Sequence, residues 1–236
     1  MTPYYDDGQV TIYCGDCRDI LTGVGVPPSA SIIMDPPYSS GGFQESGRAA
    51  GSIGTTREVG DLPTIRMDNL STRGYRRLIR SVLDTSLASE LYMFTDWRMW
   101  IESFDAAEDC GLRVRSMIVW DKIVPGMGSP WRNQHELILY GVREAPEAKW
   151  GLGTVRSHVR SGNKYHPTEK PVALISDLLQ MIAPERMVLD PFMGSGSTLV
   201  AAKNIGRRAI GIEIEERYCE IAAERLSQGV LFLGEL

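Results

Sequence analysis

The sequence predicts an α/β fold in one domain, 1–236: a mostly parallel sheet with one antiparallel strand and helices on both faces. Three observations predict it. Short apolar runs alternate with helix-period segments, the pattern of strands covered on both sides by crossover helices. Two of those runs end in Asp-Pro turns, at Asp35-Pro36-Pro37-Tyr38 and at Asp190-Pro191-Phe192, where a buried strand gives way to a loop. The length, 236 residues, suits one large core.

The elements follow in order. Val10 to Tyr13 is a short β-branched strand, and Asp16 to Leu21 a brief helix. Ala30 to Met34 is the strand before the first Asp-Pro turn. Residues 39–69 are rich in Gly, Ser, Thr and Arg without apolar periodicity, and read as a long mobile loop. Ser71 to Leu87 is helical, with Tyr75, Leu78, Ile79, Val82 and Leu83 on one side. Leu91 to Phe94 is a strand and Arg98 to Cys110 a helix. Arg115 to Trp120 and Glu136 to Tyr140 are strands with no helix pattern between them, so they are expected to be antiparallel neighbours joined by the Gly/Pro-rich loop at 124–133. Residues 144–168 are polar and irregular. Val172 to Ile182 is a helix entered at Pro171. Strands at Val188-Leu189 and Arg208 to Ile214 flank a helix over Ser197 to Asn204, and Glu215 to Ser227 is the last helix.

Bulk properties narrow the function. No apolar run approaches the roughly 18–20 residues of a membrane helix. The N-terminus has neither a basic start nor an apolar core of a signal peptide, so a cytoplasmic protein is expected. Cys14 and Cys17 form a Cys-x-x-Cys pair, but no second Cys or His pair completes a tetrahedral site, and no metal is expected. The net charge of −5 means that DNA binding needs a local basic face. Arg48, Arg57, Arg66, Arg73, Arg76, Arg77 and Arg80 form one candidate set, and Arg132, Arg143, Lys149, Arg156, Arg160 and Lys164 a second.

The segment Asp190-Pro-Phe192-Met-Gly194-Ser195-Gly196-Ser-Thr198 is a strand-to-helix turn whose glycines let the backbone approach a small ligand. It lacks the Gly-Lys-Ser/Thr of a phosphate loop and the third glycine of a dinucleotide fingerprint. About twenty residues on, Glu213 closes the next strand, where an acid can accept both hydroxyls of a ribose. Asp35-Pro36-Pro37-Tyr38 suits an amino group on a planar ring. Such an amine is a poor nucleophile, because its lone pair is delocalised into the ring. Two acceptors aimed at its N–H groups favour rehybridisation: the Asp35 carboxylate and the Pro36 carbonyl, on a proline-stiffened backbone. Tyr38 offers a flat face to a base swung out of a duplex.

These residues resemble the amino-group DNA methyltransferases that use S-adenosylmethionine, across most of the chain. The Asp35–Tyr38 motif resembles their catalytic motif, Asp190 to Thr198 their methionine-binding loop and Glu213 their ribose-binding acid. Gly15-Asp16-Cys17 resembles the segment that holds the cofactor's adenine. His166-Pro167-Thr168-Glu169-Lys170-Pro171 resembles a segment that usually reads His-Pro-Thr-Gln-Lys-Pro, and the resemblance implies cofactor contacts from His166, Thr168 and Lys170. Trp120-Asp121-Lys122 and Gln134-His135-Glu136 resemble further family segments. Catalytic motif before cofactor loop is the order of the circularly permuted β group. The resemblance then implies a Rossmann-like methyltransferase sheet in which strands at 10, 31, 91, 115 and 136 are the third to seventh, and those at 187 and 208 the first and second.

The group usually carries a substantial target-recognition region before the His-Pro-Thr segment. Here 144–168 is short, so low specificity, or recognition shared with the 39–69 loop or with a second subunit of a homodimer, is expected. Asp at the first motif position is more usual for N6-adenine enzymes, and Ser for N4-cytosine. N6-adenine in DNA is therefore the expected target, with N4-cytosine, an RNA or protein-amide methyltransferase and an inactive accessory subunit as alternatives.

Overall fold

The computed structural model describes residues 1–37, 71–126, 129–144, 151–162, 165 and 169–228. Among them, nine strands form one sheet: β1 (Tyr5–Asp6), β2 (Val10–Cys14), β3 (Ser31–Met34), β4 (Glu90–Thr95), β5 (Arg113–Asp121), β6 (His135–Val142), β7 (Val155–Ser157), β8 (Val188–Asp190) and β9 (Ala209–Glu213). Their spatial order is β1-β2-β9-β8-β3-β4-β6-β5-β7. In the permuted numbering, the seven strands from β2 to β5 run third, second, first, fourth, fifth, seventh, sixth. β6 is antiparallel to both β4 and β5, as the missing crossover helix implied. The two-residue edge strand β1 is a second antiparallel member.

Among the described residues, six helices cover the sheet: α1 (Cys17–Gly23), α2 (Thr72–Ser86), α3 (Trp100–Asp109), α4 (Val172–Met181), α5 (Ser197–Asn204) and α6 (Glu216–Ser227). The pleat sends alternate side chains to opposite faces. Ile32, Met34, Leu91 and Met93 pack under α1, α2 and α3. Ile33, Tyr92, Phe94 and Ile138 pack under α4, α5 and α6. Because both faces are covered, β3 is buried at all four positions and shows no polar alternation.

Local chemistry sets the ends. The Ser71 hydroxyl accepts from Gly74 N–H at 3.1 Å and caps α2, whose buried stripe is Tyr75, Ile79, Val82 and Leu83. Leu87 ends that helix in the left-handed region, at φ 49°. Pro171 is the cap residue before α4, which starts at Val172. Arg143 donates to the carbonyls of Ala88 at 3.0 Å, Leu83 at 3.1 Å and Cys110, joining the C-terminal ends of α2 and α3 to β6. This arginine serves the fold, and it leaves the candidate basic face.

The segment at 144–168 is not wholly irregular. β7 pairs parallel with β5 from Val119↔Val155 to Asp121↔Ser157. Trp120 Nε1 donates to the His158 carbonyl at 2.8 Å, and Asp177 of α4 holds Arg156 at 2.6 Å and His158 at 2.7 Å. Arg156 is thereby also a structural arginine. The expected 39–69 loop lies outside the described residues.

Candidate active site

The strand order reverses between β8 and β3: β8 and β9 wind one way, β3 and β4 the other. In an open α/β sheet, the crevice beyond the carboxyl ends of two such strands is the usual ligand site. Both Asp-Pro turns open there, because Asp190 ends β8 and Asp35 follows β3. Ile32 pairs with Leu189, so Asp35, three residues on, lies level with Phe192, two residues past Asp190.

On the β8 side the backbone folds tightly under the crevice. Gly194 and Gly196 have φ of 51° and 81°, which L side chains avoid. A Cβ on Gly196 would sit 2.8 Å from the Ala222 Cβ of α6, so the glycine permits both the turn and the helix contact. Glu213 holds this loop from the neighbouring strand: it accepts from Gly194 N–H at 3.0 Å and Glu215 N–H at 2.9 Å. Ser195 is buried, and both its carbonyl and its hydroxyl accept from Arg225 at 2.7 and 3.1 Å. Asp16 caps α1 through Arg18 N–H at 2.9 Å beside the β2–β9 pair, while Cys17 turns into the core. Burial pushes the Cys17 thiol up to about 12, so it stays neutral, and Cys14 is a free, exposed thiol.

The crevice is acidic. Burial pushes the Asp190 carboxyl up to about 7; Phe192 N–H and the Thr198 side chain oppose the shift, and the charges of Asp35 and Glu213 add to it. Burial also raises Glu213, against the backbone donors that hold it. Acids crowded at one strand-end crevice suit a ligand that brings positive charge and hydroxyl donors.

On the β3 side, Asp35 belongs to a row of charges. Lys170 Nζ donates to Asp35 Oδ2 at 2.5 Å and lies 3.5 Å from Glu136 Oε2, and Lys122 Nζ donates to Glu136 Oε1 at 2.7 Å. Lys170 is buried, its ammonium 5.1 Å from the Phe94 ring centroid. Burial raises the Asp35 carboxyl above its ordinary range, and the Lys170 ammonium works against that rise. Burial also works against charge on Lys170, but Asp35 and then Glu136 outweigh it, so its proton is held above the usual lysine range. Asp35 Oδ1 is buried and has no hydrogen-bond partner among the described residues. Pro36 is buried beside it.

A profile of the DNA methylase family matches residues 142–224. YubD of Escherichia coli (strain K12), provisionally named a methylase, is 33% identical over 217 residues, which cover 90% of this chain and 88% of YubD. The chain belongs to the N6/N4 DNA methylase family. Two solved structures show the same fold. The M1.HpyAVI–SAM complex aligns with a TM-score of 0.65 at 24% identity, over 92% of this chain and 98% of that chain. PvuII DNA methyltransferase, which is cytosine-N4-specific, aligns with a TM-score of 0.68 at 16% identity, over 98% of this chain and 90% of that chain.

Within this methylase, the structure gathers Asp16, Asp35, Pro36, Pro37, Asp190, Phe192, Gly194, Ser195, Gly196, Thr198 and Glu213 at the carboxyl ends of β2, β9, β8 and β3. Tyr38, His166 and Thr168 lie outside the described residues. Lys170, expected against the cofactor, places its ammonium on Asp35 and Glu136. Two residues of the charge row, Lys122 and Glu136, had no expected role. Their signal was present in the segments Trp120-Asp121-Lys122 and Gln134-His135-Glu136, which are brought face to face by the pairing Trp120↔Glu136.

Proposed function

We propose that this methylase transfers the methyl group of S-adenosylmethionine to the N6 amine of adenine in DNA, with the base swung out of the duplex. One observation carries the reading: a buried carboxylate oxygen without a hydrogen-bond partner among the described residues, Asp35 Oδ1, stands beside an acidic crevice under a glycine turn. The residues present fit the cofactor. Its sulfonium and ammonium charges suit the acids at 190 and 213, and its ribose hydroxyls suit Glu213 at the strand end.

When bound, S-adenosylmethionine supplies an electrophilic methyl group. Asp190, Glu213 and the turn at Gly194–Gly196 orient it. Asp35 Oδ1 and the Pro36 carbonyl accept the two amine N–H groups and favour the pyramidal nitrogen that attacks in line. The adenine assignment rests on Asp35 at the first position of the motif.

The test is nucleoside mass spectrometry of unmethylated chromosomal DNA after incubation with the protein and isotope-labelled S-adenosylmethionine. Labelled N6-methyladenine is the expected product. Labelled N4-methylcytosine would retain the amine chemistry and overturn the base assignment. Cofactor bound with no label in DNA would overturn the substrate.

A further inference from the structure

We propose that Lys170, Glu136 and Lys122 are positioning residues that keep Oδ2 of Asp35 occupied and its Oδ1 free for the incoming amine. The inference rests on the reading of Asp35 given above. Four charges alternate in sign from one contact to the next, Lys122, Glu136, Lys170 and Asp35, at successive separations of 2.7, 3.5 and 2.5 Å. They come from three places in the chain: the turn after β3, the β5–β6 pair and the segment leading into α4.

The arrangement restricts Lys170. Its ammonium rests on the Phe94 face, donates to one oxygen of Asp35, and has Glu136 as its second anion. A lysine with Asp35 as its sole anion is free to lean across both carboxylate oxygens, and Oδ1 is then no longer open to an amine. Glu136 draws Lys170 to one side. Lys122, whose ammonium lies 4.9 Å from the Trp120 ring centroid, holds Glu136 in place. Glu136 Oε1 accepts from Lys122, and its Oε2, 3.5 Å from Lys170, has no hydrogen-bond partner among the described residues, so it is available to that ammonium; the row is neutral as a whole, which offsets the cost of taking these largely covered charges out of water.

The row also sets the protonation of Asp35. Among the described residues, the charged and titratable groups around Asp35 are Lys170 before α4, Glu136 on β6, Lys122 after β5, Asp190 at the end of β8 and Tyr75 on α2. Burial favours the neutral acid, Lys170 and Lys122 favour the carboxylate, and Glu136 favours the acid. Removing Lys170 therefore moves the acid limb of the rate profile to higher pH. Removing the charge of Glu136 moves it to lower pH. A residue that only supports the fold gives neither displacement, and certainly not two of opposite sign.

The test is the single-turnover rate of label transfer to unmethylated chromosomal DNA, at saturating labelled S-adenosylmethionine, from pH 5.5 to 9. Wild type, Lys170→Met, Glu136→Gln, Lys122→Met and Asp35→Asn are compared, with cofactor affinity measured by calorimetry. Lys170→Met and Glu136→Gln are expected to lower the rate about tenfold to a hundredfold, the scale of a small misplacement of reacting groups. Cofactor affinity changes less than about threefold, well under the tenfold that 1.4 kcal/mol brings. Their acid limbs move in opposite directions, and Lys122→Met gives a smaller loss, with its limb moving the way of Lys170→Met. An inactive Asp35→Asn beside unchanged rates and limbs in the other three overturns this proposal alone. Wild-type transfer by Asp35→Asn overturns the reading of Asp35 itself. If Lys170→Met does not fold, the isosteric Glu136→Gln decides: an unmoved acid limb there refutes the proposal.

Discussion

Asp190 makes the ligand-free protein sensitive to pH, and Asp190→Asn removes that sensitivity. In the folded chain, burial and then the charges of Asp35 and Glu213 push this carboxyl from its ordinary 3.8 up to about 7. The unfolded chain ionises near the ordinary value. The folded state thus binds a proton that the unfolded state has already released. Stability from this group is complete below about pH 4 and is lost as pH rises through about 7. Each tenfold difference in proton affinity is worth about 1.4 kcal/mol, so the whole window spans about 4 kcal/mol, and the part between pH 5 and pH 8 about 3 kcal/mol. Relaxation of the crevice reduces the observed figure, to about 1 kcal/mol at the least. The assay is urea unfolding, followed by tryptophan fluorescence, at pH 5 and pH 8 without cofactor. Wild type is expected to lose about 1–3 kcal/mol more between the two pH values than Asp190→Asn, at equal denaturant slopes. The asparagine keeps the shape and an acceptor for Phe192 N–H, so the difference isolates the charge. Parallel losses in the two proteins, within about 0.5 kcal/mol, would refute the reasoning, because a buried ionising Asp190 cannot leave the pH dependence unchanged.

Two further changes address the loop that Asp190 opens. Gly196→Ala combines a left-handed backbone with a Cβ 2.8 Å from Ala222, and is expected to cost about 2–4 kcal/mol in denaturant unfolding; a loss under about 0.5 kcal/mol contradicts the tight packing of α5 on α6. Arg225→Ala strips Ser195 of its donor and takes from Glu169, whose side chain is largely covered and 3.2 Å from the guanidinium, its counter-charge among the described residues, at a cost of about 3–5 kcal/mol. Adding Glu169→Gln to that variant is expected to restore at least half of the loss, and strictly additive effects in the double-mutant cycle count against the pair.

The fold was legible where local chemistry dominates. Strand ends at Asp35 and Asp190 announced themselves through an apolar run followed by Asp-Pro, and α2 through its one-sided apolar stripe from Tyr75 to Leu83. The antiparallel β5–β6 pair was legible because a connection without a helix pattern cannot make a parallel crossover. β1 and β7 were not, since strands of two and three residues carry almost no periodicity and exist through their partners. Arg143 and Arg156 looked like members of a solvated basic face. What they hold, three carbonyls and Asp177, comes from distant turns of the chain, and nothing in the neighbouring sequence reports it. Glu169 is a similar case. Read alone it is a mild departure from glutamine, but Arg225, 56 positions later, gives the carboxylate its counter-charge.

Register explains why a chain with its two motifs in permuted order still builds one site. Ligand geometry depends on which strand ends are adjacent, and β3 lies beside β8 whichever is made first. The pairing Ile32↔Leu189 sets Asp35 two residues beyond Asp190, a rise of about 7 Å along the strands. The pairing Asp190↔Gly211 sets Glu213 at the same height as Asp35, one strand further away. On the other side, Met34↔Met93 brings Asp35 level with Phe94, and Phe94↔Ile138 brings Glu136 two residues further along the same edge. The acid beneath the glycine turn, the acid on the next strand and the acid of the charge row therefore stand at fixed offsets around one crevice. A one-residue slip of β3 would turn Asp35 to the opposite face of the sheet and part it from Lys170. The buried run Ser31–Met34, packed on both faces, is what prevents the slip, so the core of this sheet is also the element that aims the Asp35 carboxylate.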